Sequence, residues 1–199
     1  MKMKYLMGTA LLGLLACTLP ADALDIGASM VDGDVSMKNI DDSMVTLNGI
    51  KGEKGTLVIF SCNHCPVAKA WQKTMTGIGN TYQSKGFGVV FINANDPAAN
   101  KVDDLEGMKQ MAKAEGYQFP YVVDATSDVA RHFGASKTPD VFLFDANGKL
   151  VYKGAVGEGG GRPNPDGEPY LKNALDALLA GTPVPKAETK SIGCSIKFR

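Results

Sequence analysis

The sequence predicts an α/β fold in which a central mixed β-sheet is flanked by helices. Three observations carry that prediction. Residues 56–60 and 89–92 are continuous apolar and β-branched runs, as expected of central strands covered on both faces. Between them lie about 18 residues with helical spacing, in which Val67, Trp71, Met75 and Ile78 share one face. Farther on, Asp145-Ala146-Asn147-Gly148 separates two more apolar runs, and Asn-Gly in that setting is a strong hairpin signal. The strand–helix–strand unit is a parallel crossover, and the hairpin adds antiparallel strands to the same sheet.

The elements follow in order. Residues 1–23 are expected to be an export leader: Lys2 and Lys4 give a positive start, and residues 5–16 form an apolar run too short to span a bilayer. Ala21-Asp22-Ala23 then puts small residues where a signal peptidase reads them, and Pro20 argues against a buried first helix. Leu14-Leu15-Ala16-Cys17 resembles a lipobox, so lipidation at Cys17 is the alternative to cleavage after Ala23. Residues 24–182 are expected to form one domain and residues 183–199 a tail. Within the domain, 44–47 is a short piece for a sheet edge, 102–115 a second helix, 121–123 a short strand and 128–133 a helical turn or two. Strands at 141–144 and 150–153 flank the hairpin turn. A Gly/Pro-rich loop at 157–167, read as flexible, precedes a last helix at 169–179.

Composition limits the function. The 199 residues carry 21 Lys+Arg against 21 Asp+Glu, which leaves no electrostatic footprint for nucleic acid. A hydrophobic content of 44% excludes a disordered chain, and four cysteines are too few for a small disulfide scaffold. Loss of the leader removes Cys17, Lys2, Lys4 and Asp22, leaving 176 residues, three cysteines and a net charge of −1. No other segment is apolar and long enough to cross a membrane, so the mature chain is expected to be soluble and periplasmic, without stable membrane insertion.

Cys62-Asn63-His64-Cys65 carries the chemistry. Two cysteines at this spacing, where a buried strand steps into a helix, are close enough for a disulfide. At the helix N-terminus, unpaired N–H groups and the dipole favour the Cys62 thiolate, and His64 can stabilise it further when protonated. A stabilised thiolate makes the disulfide more oxidising. A zinc site would need a second ligand pair, and only Cys194, His64 and His132 remain. An inert disulfide over so short a loop would remove little entropy. Neither a metal nor an organic cofactor is needed. Cys194 is an odd thiol in an exported chain: it exchanges with the dithiol, pairs with a partner, or plugs a groove as a buried tail residue. Trp71 and the methionines read as core, His132 as a helix-surface residue, and Glu158-Gly159-Gly160-Gly161-Arg162 lacks the context of a phosphate loop.

The chain resembles the thioredoxin superfamily in its redoxin branch, related to the AhpC/TSA proteins, and most closely a bacterial group of peroxiredoxin-like thioredoxin family proteins. The resemblance rests on Cys62-Asn63-His64-Cys65-Pro66-Val67-Ala68-Lys69-Ala70, on Thr138-Pro139-Asp140 with Phe142-Leu143-Phe144-Asp145, on residues 175–181 and on Ser191-Ile192-Gly193-Cys194-Ser195-Ile196-Lys197. It covers roughly residues 35–199 and implies a thioredoxin-like fold with thiol–disulfide chemistry. Thr138-Pro139 then fits the cis-proline that faces the dithiol in such folds and shapes the substrate groove, its exposed backbone able to pair with an extended substrate. Taken alone, the same proline suits an ordinary trans turn.

One departure matters. Peroxiredoxins carry Pro-x-x-x-Thr-x-x-Cys, and here Gly55 and Ile59 hold those positions relative to Cys62, or Val58 and Cys62 relative to Cys65. The leading expectation is therefore a thiol–disulfide oxidoreductase acting on protein or small-molecule disulfides, with a separate electron donor or acceptor. A thiol peroxidase is the enzymatic alternative. A Sco-like copper protein ranks third, since that family usually has three residues between its cysteines.

Overall fold

The computed structural model describes residues 23–199. The expected leader, with Cys17, lies outside the described residues apart from Ala23. The elements run β1 (Met37–Asn39), β2 (Met44–Val45), β3 (Gly55–Phe60), α1 (Pro66–Gln83), β4 (Phe87–Asn93), α2 (Leu105–Glu115), β5 (Tyr121–Val123), α3 (Asp128–Phe133), β6 (Lys137–Thr138), β7 (Asp140–Phe144), β8 (Leu150–Gly154), α4 (Tyr170–Ala180) and β9 (Cys194–Ser195).

Seven strands form one mixed sheet in the order β2-β1-β5-β4-β3-β7-β8. β3 lies parallel to β4 and antiparallel to β7, so the crossover and the hairpin meet at the central strand. The hairpin turn closes with Asp145 N–H to Lys149 O at 2.8 Å, and Gly148 takes φ +73°, a value that a side chain would resist. Alternation along β3 splits the core. Leu57 and Ile59 join Trp71 and Met75 of α1, Met108 of α2 and Leu171 and Leu175 of α4 on one face. Val58 and Phe60 join Phe133 of α3, Phe142, Phe144 and Ile196 on the other. Phe60, Phe133 and Phe142 meet edge-on at 5.3–5.7 Å between ring centres, and each buried ring contributes about 2–3 kcal/mol.

Several boundaries differ from the sequence expectation. The second helix starts at Leu105 rather than 102, because Asp104 caps it by accepting the Gly107 N–H at 2.8 Å. Residues 101–103 form a separate short 3-10 turn. β1 carries no sequence signal, and it bridges β2 to β5. The loop expected to be flexible is tied down: Trp71 Nε1 donates to Gly160 O at 3.2 Å, and Glu158 N–H to Glu168 O at 2.8 Å.

The C-terminal segment folds back over the molecule. Thr189 N–H bonds Lys153 O at 3.0 Å, β9 pairs antiparallel with β6, Ile196 N–H bonds Ser136 O at 3.0 Å and Lys197 N–H bonds Asn95 Oδ1 at 2.7 Å. Among the described residues, no helix is long and apolar enough to cross a membrane.

Candidate active site

β3 ends at Phe60 and α1 begins at Pro66, so the loop between them holds both cysteines at the sheet's end. Pro66 opens the helix where a missing N–H costs nothing. The sequence reading put Cys62 at the helix N-terminus; the residue there is Cys65, whose sulfur accepts the Ala68 N–H at 3.5 Å. Cys62 sits one turn ahead of it, in the loop. Both are thiols, as is Cys194, and Cys62 and Cys65 are 2% and 0% exposed.

Thr138 joins the pair from across the fold. The Thr138–Pro139 bond is cis. Thr138 Oγ1 lies 3.1 Å from Cys62 Sγ, and its carbonyl oxygen lies 3.1 Å from Cys65 Sγ. Pro139 borders a cleft of about 260 Å³ with Trp71, Gly157 and Ile192. Trp71 is thus both a core side chain, as the sequence predicts, and a wall of this cleft. The backbone beside the proline, expected to be free for a substrate, is occupied: Thr138 pairs with Cys194 and Lys137 with Ser195. Gly193 makes that approach feasible, since a β-carbon there would collide with the Thr138 carbonyl.

His64 does not bond either cysteine among the contacts of its ring. Its Nδ1 pairs with Asp103 Oδ2 at 2.5 Å. Asp103 is fully buried and also accepts the Asn63 N–H at 2.6 Å and Asn95 Nδ2 at 3.0 Å. Asn63 in turn donates to Val102 O and accepts from Tyr121 Oη. Asp103 therefore fixes both the loop and the imidazole plane. The Cys62, His64 and Asp103 donor atoms lie within 4.8 Å of one another, which keeps His64 beside the Cys62 sulfur. Sequence reasoning missed Asp103 by placing it in the first turn of a helix. The available signal was the doublet Asp103-Asp104, of which a helix needs only one as its cap.

The two sulfurs titrate together. The adjacent Cys65 sulfur and burial push Cys62 up, opposed by the Thr138 hydroxyl, while the Asp103 charge pushes it further up. Cys65 is pulled down by hydrogen bonds from Cys62, from Cys194 and from the Ala68 N–H, against burial. The Thr138 carbonyl opposes this, because it is an acceptor that suits a protonated Cys65. Backbone N–H donors from Ala68 and Cys194 thus stand on Cys65, where the sequence expectation placed the helix N–H groups on Cys62. The cause is the helix start at Pro66, which hands the N–H donors to Cys65.

The sequence profile of the AhpC/TSA family matches residues 27–153. The chain belongs to the AhpC/TSA family, redox proteins of the thioredoxin superfamily. Its fold is similar to an uncharacterized conserved protein from Geobacillus kaustophilus, with 38% identity, a TM-score of 0.82, and coverage of 88% of this chain and 93% of that one. A hypothetical protein from Sinorhizobium meliloti is similar at 33% identity and TM-score 0.81, covering 89% and 97% of the two chains. The thioredoxin domain of a thiol-disulfide oxidoreductase from Bacteroides vulgatus shares the fold at 22% identity and TM-score 0.51, over 66% of this chain and 89% of that one. No protein of curated function matches the sequence.

Proposed function

We propose that this redoxin is an exported thiol–disulfide oxidoreductase, released from its leader at residues 1–23, that works through Cys62 and Cys65. The observation that carries the reading is Thr138, whose hydroxyl and carbonyl each meet one sulfur of the pair at 3.1 Å beside a cis-proline. A proton passing from Cys62 to Cys65 moves the charge to the Cys62 sulfur. The Cys62 thiolate attacks a substrate disulfide, forming a mixed disulfide and expelling one substrate thiolate. Cys65 then attacks the Cys62 sulfur, the second substrate thiol leaves, and the enzyme keeps an intramolecular disulfide. Two electrons pass from the dithiol to the substrate. A thiol reductant reopens the enzyme disulfide.

The test is insulin disulfide reduction coupled to a thiol reductant. Cys62→Ser should abolish the catalysed rate, and Cys65→Ser should accumulate a mixed disulfide at Cys62. A Cys62→Ser protein working at the wild-type rate rejects the reading. A thiol peroxidase is the second reading, supported by the same Thr138 hydroxyl, which stands on Cys62 in place of the threonine missing from the peroxiredoxin motif. Trapping of sulfenic acid at Cys62 with loss of peroxide separates the two.

A further inference from the structure

β9 lays a third thiol against the dithiol. The Cys194 N–H donates to Cys65 Sγ at 3.4 Å. Cys194 packs on the cluster formed by Cys62, Cys65 and Ala68. It is held from both sides. Ser191 Oγ donates to Asp140 Oδ1 at 2.5 Å before it, and Ile196 is buried in the core after it. Among the three described thiols the exposures differ: Cys62 and Cys65 are buried, and Cys194 alone is partly open to solvent.

We propose that Cys194 exchanges with the Cys62–Cys65 disulfide to form a Cys65–Cys194 disulfide, and that an external dithiol reductant reads the oxidised protein through Cys194. This rests on the dithiol chemistry proposed above and adds the route by which electrons return. In the first step the Cys194 thiolate attacks the Cys65 sulfur. The Cys65–Cys194 bond forms, the Cys62–Cys65 bond breaks, and Cys62 leaves with the proton that Cys194 gave up. The step is a disulfide exchange with no net electron transfer. In the second, one thiolate of the reductant attacks the Cys194 sulfur and Cys65 is expelled. The second thiol of the reductant then resolves the mixed disulfide, releasing Cys194 and closing the reductant's own disulfide. Two electrons enter from the dithiol.

The chemistry of the two sulfurs suits these roles. In the second step the Ala68 and Cys194 N–H groups on its sulfur make Cys65 the better leaving group, while burial pushes the reduced Cys194 thiol up. The reduced Cys194 is thereby slow to react with bystanders. Once disulfide-bonded, it offers the accessible sulfur and expels the stabilised one.

Disulfide mapping after acid quenching and alkylation, across a series of glutathione redox buffers, tests the proposal. The wild-type chain should give both Cys62–Cys65 and Cys65–Cys194 peptides, and Cys62→Ser should give Cys65–Cys194 alone. Oxidised Cys194→Ser, with a circular dichroism spectrum like the wild type, should be reduced by dithiothreitol at least about tenfold more slowly. Absence of the Cys65–Cys194 peptide from both proteins, or reduction of oxidised Cys194→Ser at the wild-type rate, overturns the proposal. Absence of Cys62–Cys65 from the oxidised wild type instead overturns the underlying dithiol reading, so the two failures are distinct.

Discussion

Asp103 touches the dithiol loop at two residues, taking the Asn63 N–H and the His64 ring nitrogen on its two oxygens. Its own charge opposes a thiolate on Cys62, so it acts as a positioning residue through His64 and at an electrostatic cost. An amide at this position keeps one acceptor but loses the charge and the imidazole partner. Asp103→Asn should therefore slow disulfide exchange by about tenfold while moving Cys62 alkylation to lower pH. Iodoacetamide labelling across a pH series, with peptide mapping, reads the second effect. An unmoved midpoint would reduce Asp103 to a purely structural brace.

At the scale of elements, the two-residue pairing of β6 with β9 decides what reaches the sulfurs. Gly193 lets the tail pass against the Thr138 carbonyl, where a β-carbon would collide. Gly193→Val should lift the tail and speed Cys62 alkylation by about tenfold under native conditions, relative to wild type. An unchanged rate would show that something other than the tail shields Cys62. The long elements were legible in the sequence because their signals are local: β3 and β4 as apolar runs, α1 by its 3.6-residue spacing, and the hairpin by Asn147-Gly148. The Cys62–Cys65 motif was legible for the same reason, whereas Thr138-Pro139 was legible only through the resemblance to thioredoxin-like folds. The β6–β9 ladder was not, because two residues carry no period and their partners lie far apart in sequence. The hydrogen bonds of Asp103 were likewise fixed by tertiary packing that no local pattern encodes.

For the whole molecule, the sheet's end collects buried polar groups that burial penalises. Asp140 follows the cis-proline and is 6% exposed. Burial raises its carboxyl to about 6 from 3.8, despite hydrogen bonds from Ser191 and from the Ser136 N–H. A folded value above the unfolded one means that the carboxyl favours folding in its neutral form. That contribution is complete below pH about 4 and is lost as pH rises through about 6. The stability of wild type minus that of Asp140→Asn should thus fall by about 2–3 kcal/mol between pH 4 and pH 7.5. Urea unfolding of the two proteins in parallel checks it, because the remaining carboxylates cancel in the difference. A difference that is flat with pH would place the Asp140 carboxyl outside the energetics of the fold.

Trp71 is the only tryptophan of the chain. Its indole donates to Gly160 and shares a cleft wall with Pro139 of the dithiol face and Ile192 of the tail. The protein thereby carries its one indole fluorophore, selectable by excitation beyond the tyrosine band, where the tail meets the groove. Lifting the tail would change what surrounds the ring and bring it nearer to water. The emission of this single residue offers a label-free optical signal of tail docking, in real time and without any added probe.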